Sequence, residues 1–350
     1  MRSLIFAIVV SVLGLPVVSI AAEEIVVYSA RKEHLVKPLF DEFEKETGVT
    51  IKYITDKAGP LLQRLKAEGK RSPADLLITV DAGNLWHAAN EGVLQPVKSE
   101  LLDQKVPAHL RDPEDRWFGV TIRARTIVYN TDNVADGELT TYEDLASEKW
   151  KDRLCLRTSK KVYNQSLVAM MISRHGEEKA AEIVSGWVNN LALPPFSNDT
   201  KTIQAVQSGQ CDVAIVNTYY FGRLEDKGES RGAALFWPNQ ETSGVHVNIS
   251  GIGLTQHAPH KETAVRFIEW MVSDKAQSML ANMNFEYPVV ASVETSELVK
   301  NWGTFKSDDI NLSEAGRLQS QAVRLMDRAG YKYLIIKFGS RIRGPLFYEI

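Results

Sequence analysis

The sequence predicts an α/β protein of two lobes, each a mostly parallel sheet flanked by helices, with a ligand cleft between them. Three observations carry that expectation. At 350 residues, 44% apolar and 24% charged, the chain is globular in composition and longer than one hydrophobic core usually serves. The first hundred residues past the leader alternate strand and helix, the rhythm of a parallel sheet covered on both faces. Beyond Trp117 a second such series begins, reached through a long extended segment.

The elements follow in order. Glu24–Tyr28 (EIVVY) is a β-branched run without helical period and reads as a buried strand. Arg31–Thr47 places Leu35, Leu39 and Phe43 four apart, with Gly48 as a stop, and reads as a helix. Val49–Ile54 is a strand, Leu61–Glu68 a helix between Pro60 and Gly69, Leu76–Val80 a strand, and Leu85–Asn90 a helix ended by Gly92. Thr121–Asn130 is the extended segment, with Arg123 and Arg125 alternating against apolar neighbours. A helix around Tyr142–Ala146, a strand over Arg153–Arg157, and helices over Tyr163–His175 and Glu177–Asn190 come next. Asp199 is expected to cap a helix over Thr200–Ser208, before a strand over Cys211–Asn217. Asn248–Leu254 reads as a strand, 261–283 as two helices, and Ser313 as the cap of a final helix. No internal repeat and no low-complexity tether separates the series, so the crossings near 122 and 244 are expected to be short. Lobe 1 is accordingly 23–121 plus 244–291, and lobe 2 is 122–243 plus 292–331.

The start of the chain sets the compartment. Arg2 precedes an apolar run, Leu4–Val18, and Ser19-Ile20-Ala21-Ala22 supplies small residues before Glu23 and Glu24. A basic start, an apolar core and a small-residue site make residues 1–22 a secretory signal peptide. The run is short for a spanning helix, which needs about 20 apolar residues. Cys155 and Cys211 are the only cysteines. In an oxidising compartment they are a disulfide candidate, with buried free thiols as the alternative. The balance of 41 basic against 44 acidic residues excludes a strongly basic nucleic-acid binder. The tail 332–350, of unknown status, carries four basic residues against Glu349.

Catalysis finds no foothold. There is no G-x-G-x-x-G, Walker loop, G-x-S-x-G or H-E-x-x-H, and the seven histidines show no zinc spacing. The unusual chemistry is phenolic. Tyr219-Tyr220 directly follows a predicted strand, where ligands of α/β folds sit, and Tyr163 opens a helix after another strand. Converging phenols can become phenolates on a hard, highly charged cation, of which ferric iron (Fe3+) is the natural match. Packing or an interface is the other reading of paired tyrosines. A small oxyanion could complete such a site, steadied by Arg31, Lys32, Arg123 or Arg125, all of which also read as surface charge.

At these residues the chain resembles the periplasmic ferric-iron-binding proteins of bacterial iron ABC transporters. The likeness covers about residues 24–331 and is carried by VVYSARKEH, SPADLLITVDAG, WFGVTIRARTIVYN, KVYNQSLVA, VNTYYFGRL, NISGIG, FEYPVV and WGTFKSDDI. It implies the hinge-linked type II solute-binding fold, iron ligation by Tyr163, Tyr219 and Tyr220, and a carbonate-like anion at Arg31. It also implies a periplasmic monomer that hands iron to an inner-membrane ABC permease. Similar members carry a cysteine pair at Cys155 and Cys211. Some branches add a His or a His-Tyr pair in the loop after the first strand; here that loop reads Ser29-Ala30-Arg31-Lys32-Glu33, and His34 lies further on, inside the expected helix. Branches with a carboxylate after the third strand are matched by Val80, with Asp81 adjacent. A tyrosine-dominated site completed by anion or water is therefore expected. A receptor for another organic cation or anion, its tyrosines serving as aromatic walls, is the alternative; a periplasmic enzyme is a third reading.

Overall fold

The structure, a computed structural model, describes residues 23–331; the expected signal peptide and the tail 332–350 lie outside the described residues. The first part runs β1 (Glu24–Ser29), α1 (Lys37–Thr47), β2 (Thr50–Thr55), α2 (Ala58–Glu68), β3 (Leu76–Val80), α3 (Ala82–Asn90), β4 (Leu94–Gln95) and α4 (Glu100–Lys105). The 13-residue strand β5 (Phe118–Asn130) leads on to β6 (Leu154–Cys155), α5 (Val162–His175), α6 (Glu177–Asn189) and α7 (Asp199–Gln207). Then come β7 (Val213–Asn217), α8 (Thr218–Glu225), β8 (Ala233–Phe236), β9 (Val247–Thr255), α9 (Lys261–Met271) and α10 (Asp274–Asn284). The chain closes with β10 (Tyr287–Pro288), α11 (Glu297–Lys300), α12 (Ser313–Arg317) and α13 (Gln319–Arg328).

The strands lie in the order β2-β1-β3-β9-β5-β7-β6. The pairs β1–β2, β1–β3 and β6–β7 are parallel; β3–β9, β5–β9 and β5–β7 are antiparallel. The sheet is therefore mixed, not mostly parallel. The reason lies in β5 and β9, which return the chain from one half to the other and so run against the strands they meet. β5 pairs with β9 through Ala124, then with β7 from Arg125 onward, and so belongs to both halves. The central strands β3, β7 and β9 are buried almost throughout, as strands covered on both faces must be.

Several local expectations are corrected. The helix expected from Arg31 starts at Lys37, after a 3-10 turn over Glu33–Leu35. Pro38 explains this, because proline is tolerated in a first turn and not in a helix interior. Arg31 thus sits in the loop after β1. The cap of α7 is Asn198, whose side chain accepts from the Lys201 amide; the Asp199 carboxylate is drawn inward to Arg125. Tyr142–Ala146 forms only a 3-10 turn over Asp144–Ala146, and the Cys155 strand spans two residues. Ser313 offers no side-chain cap, and the last helix breaks at Leu318 into α12 and α13.

The two halves are tied at the back by α12, which packs on both α3 and α5. The contact is close because residue 316 is glycine: a Cβ there would stand 2.4 Å from that of Trp86. Among the described residues no helix is long and apolar enough to cross a membrane.

Candidate functional site

A cleft of about 220 Å³ opens where the carboxyl ends of β1, β3 and β7 meet. Its walls include Arg31, Lys32, Val80, Arg123, Tyr163, Tyr219, Tyr220, Arg223, Asn284 and Glu286. The three tyrosines singled out in the sequence thus come together although 56 residues separate the first from the second. Tyr163 is the second residue of α5, and Tyr219 and Tyr220 lie in the first turn of α8. Both helices begin at the cleft, so their N-terminal dipoles favour negative charge on those phenols. The Tyr219 and Tyr220 rings lie 4.5 Å apart. The Asn217 side-chain amide donates to the Tyr219 hydroxyl at 3.3 Å.

Burial is the main influence on the Tyr163 and Tyr219 phenols. It raises Tyr219 well above the ordinary tyrosine value, and Tyr163 and Tyr220 beside it push the same way against Arg123. Burial also raises Tyr163, again opposed by Arg123. Both phenols are therefore held in the protonated form, and a strong cation is needed to displace those protons.

Guanidinium groups surround the rings. Arg123 and Arg157 each stand 5.4 Å from the centre of the Tyr163 ring, and Arg223 stands 5.0 Å from that of Tyr219. Arg157 also reaches the Tyr220 hydroxyl at 3.4 Å. Arg31 and Arg123, both expected as anion clamps, differ in availability. Arg31 Nη1 donates to Ser250 at 2.6 Å, Thr121 at 3.3 Å and Glu286 at 3.0 Å, and Nη2 donates to Glu286 at 3.0 Å. Only its Nε lacks a partner. Burial would raise the Glu286 carboxyl, but Arg31 and then Arg123 outweigh it and hold Glu286 below the usual carboxylate range. Arg123 is 2% exposed, and neither terminal nitrogen has a hydrogen-bond partner; the Asp81 carboxylate lies 3.9 Å away.

The remaining candidates fall outside the centre. Arg125 does not face the cleft; it donates to Asn164, Asp199, Asn217 and the Ile215 carbonyl beneath it. Asp81 is buried behind the wall, capping α3 through the Gly83 amide and accepting from Ser166 at 2.6 Å and Asn248 at 3.0 Å. His34 is exposed on the 3-10 turn. Cys155 and Cys211 form a disulfide. Sequence reasoning missed Arg157, Arg223, Asn284 and Glu286. Arg223 had a signal, since it follows Tyr219 by four residues and Tyr220 by three on one helix face. Among the described residues no group of three or more His, Cys, Asp or Glu side chains gathers around a metal position.

The chain matches the family model of bacterial extracellular solute-binding proteins over residues 38–307. It is 46% identical to iron uptake protein A1 of Synechocystis over 316 residues, covering 89% of this chain and 88% of the relative. Among solved structures it superposes on Trichodesmium IdiA (FutA) in complex with iron and citrate. The TM-score is 0.86 at 45% identity, covering 88% of this chain and all of the other. Ferric iron-binding protein A of Mannheimia haemolytica in an open conformation gives a TM-score of 0.84 at 39% identity, covering 89% of this chain and 99% of the other. These neighbours have the two-lobed type II architecture, and they are binding proteins, not enzymes. The mixed sheet, the cleft at its strand ends and these matches together place the chain in the bacterial extracellular solute-binding protein family.

Proposed function

We propose that the chain captures ferric iron in this cleft through the phenolates of Tyr163, Tyr219 and Tyr220. The observation that carries the reading is the convergence of three phenols at the N-terminal turns of two helices, ringed by guanidinium groups. A cation of charge three supplies the drive to deprotonate phenols, among them Tyr163 and Tyr219, which burial keeps neutral. The relatives support it, being named for iron uptake or seen with iron. Three phenolates neutralise the metal and leave coordination positions for water or a small oxyanion such as carbonate. Arg123 is the better clamp for that anion, since neither terminal nitrogen has a hydrogen-bond partner and the Asp81 carboxylate lies 3.9 Å away, while Arg31 can offer only Nε.

In this reading the protein works in the periplasm, reached through residues 1–22, as a monomer that delivers iron to an inner-membrane ABC permease. The hinge lies in the two crossing strands near 122 and 244, and ligand favours the closed form by contacts made to both lobes. The three guanidinium groups on the rings, with Arg31 and Lys32 in the cleft wall, also suit an anionic solute without metal.

Titration with a ferric salt separates the two readings. A visible phenolate-to-iron band is expected, lost in Tyr219→Phe/Tyr220→Phe. A colourless protein whose melting is unchanged by ferric citrate, yet raised by carboxylate or phosphate solutes, would replace iron with an anion.

A further inference from the structure

One covalent feature of the tyrosine-bearing half has no part in the reading above. Cys155–Cys211 is the disulfide found among the described residues, with Cα atoms 5.9 Å apart and both cysteines buried. Its position relates directly to the phenols. Cys155 precedes Tyr163 by eight residues, and Cys211 precedes Tyr219 by eight. The bond therefore joins the two chain segments that carry the phenols into the cleft.

The direct pairing of those two segments with each other is short, although the first is also bonded to residues 190–196 and, through the Arg157 and Thr158 carbonyls, to Asn164 and Tyr331. β6 is two residues long and pairs with β7 only at Leu154–Val213 and Cys155–Ala214. Past Cys155 the pairing with β7 ends, and the backbone pairs instead with Phe196, which donates to the Leu156 carbonyl and accepts from the Thr158 amide, both at 2.8 Å. The chain continues through Arg157, whose guanidinium lies 5.4 Å from the Tyr163 ring centre and 5.7 Å from that of Tyr220, to the start of α5. The disulfide also sits in the smaller apolar cluster with Val128, Ile203, Val206, Val216, Phe221 and Leu224, and Tyr220 packs against that cluster. A slip of β6 along β7 would move Tyr163 and Arg157 relative to Tyr219 and Tyr220. Metal affinity is sensitive to such displacements, because all three oxygens must meet one ion.

We propose that the Cys155–Cys211 bond positions the three phenols, so that the dithiol form folds but holds ferric iron weakly. The inference rests on the phenolate reading of the cleft. The conversion is a two-electron exchange: the disulfide takes two electrons and two protons from a dithiol reductant, which is itself oxidised to a disulfide. A chain still on the reducing side of the membrane keeps both thiols. Loading is thereby confined to the oxidised, exported protein.

The test compares the full chain with Cys155→Ala/Cys211→Ala and with Ile183→Ala, a core truncation in α6 that leaves the disulfide intact. Ferric affinity by competition with citrate, the position of the visible band and the melting temperature are read for each. The expected result is a folded double variant with affinity lowered about tenfold or more and a shifted band, while Ile183→Ala melts lower but keeps both. Affinity and band unchanged in the folded double variant would overturn the proposal, leaving the bond a staple of stability alone. A second measurement covers a double variant that does not fold. Gallium(III), a redox-inert trivalent probe, is added to wild-type protein before and after phosphine reduction, and the tyrosine ultraviolet difference spectrum is recorded. An equal signal in both forms overturns the proposal; a signal weakened by reduction supports it. Oxidised wild type that shows no band with iron would instead defeat the phenolate reading itself.

Discussion

In the proposed site, Arg123 is the residue on which binding of a small anion would turn. Its two terminal nitrogens are buried and unpartnered, whereas Arg31 is committed to Glu286, Ser250 and Thr121. Replacing Arg123 by Met should remove charge-assisted hydrogen bonds to a bound oxyanion, each about 1.5–3 kcal/mol, and weaken iron retention about ten- to a hundredfold. The loss should vanish when carbonate is left out, and Arg123→Lys should recover part of it. Iron release rates measured with and without bicarbonate check this; equal losses under both conditions would assign Arg123 to the fold. The two arginines also show where sequence reading stops. Positions 123 and 125 share a face of an ideal strand. Yet β5 changes partner from β9 to β7 between Ala124 and Arg125, and only Arg123 faces the cleft. That change of partner is tertiary and leaves no local trace.

His246 makes a second prediction at this scale. Burial, with Arg125 and Arg123 nearby, pushes its imidazole down to about 3 from an ordinary 6.5. The folded state thus keeps it neutral while the unfolded chain takes up a proton below pH 6.5. The stability it contributes is complete above pH 6.5 and is lost as pH falls toward 3, at a limiting slope of about 1.4 kcal/mol per pH unit. Melting of the metal-free protein should drop between pH 6.5 and 5, and His246→Gln should flatten that drop. An unchanged slope in the variant would place the acid sensitivity elsewhere.

At the scale of elements, the first strands and helices were legible because their periods are local. Leu76–Val80 was read with its true bounds, and the tyrosine-bearing α5 within a residue. Errors gathered where a polar side chain had a distant partner. Asp199 looked like a cap by position, but it lies 3.2 Å from Arg125 and 3.5 Å from Arg157. Asp199→Ala should accordingly cost far more than a cap, about 3–5 kcal/mol, since it leaves buried guanidinium charge unpaired. Denaturant melts decide: a loss near 1 kcal/mol would restore the capping role. The crossing of α12 over α3 was equally invisible, since nothing in the segment around Gly316 announces Trp86. Gly316→Ala should cost about 1–3 kcal/mol through that overlap, read in the same melts, and a neutral outcome would mean the helices can part.

At the scale of the whole molecule, the two-lobed class and the tyrosine cluster were within reach of the sequence; the mixed sheet and the ring of guanidinium groups were not. Composition and strand rhythm report length and layers, while strand direction depends on where β5 and β9 cross. The phenols stood out because Tyr219-Tyr220 follows a strand. Arg157 did not, because its role appears only when β6 lies beside β7. Ferric iron with bicarbonate should close the cleft and reduce the radius of gyration seen by X-ray scattering, and Tyr219→Phe/Tyr220→Phe should abolish the change. The most direct measurement is a crystal structure of the ferric-loaded protein with data collected at the iron absorption edge. The account predicts one anomalous peak bonded to the hydroxyl oxygens of Tyr163, Tyr219 and Tyr220. A peak away from those oxygens, or a cleft filled by a solute without iron, would contradict it.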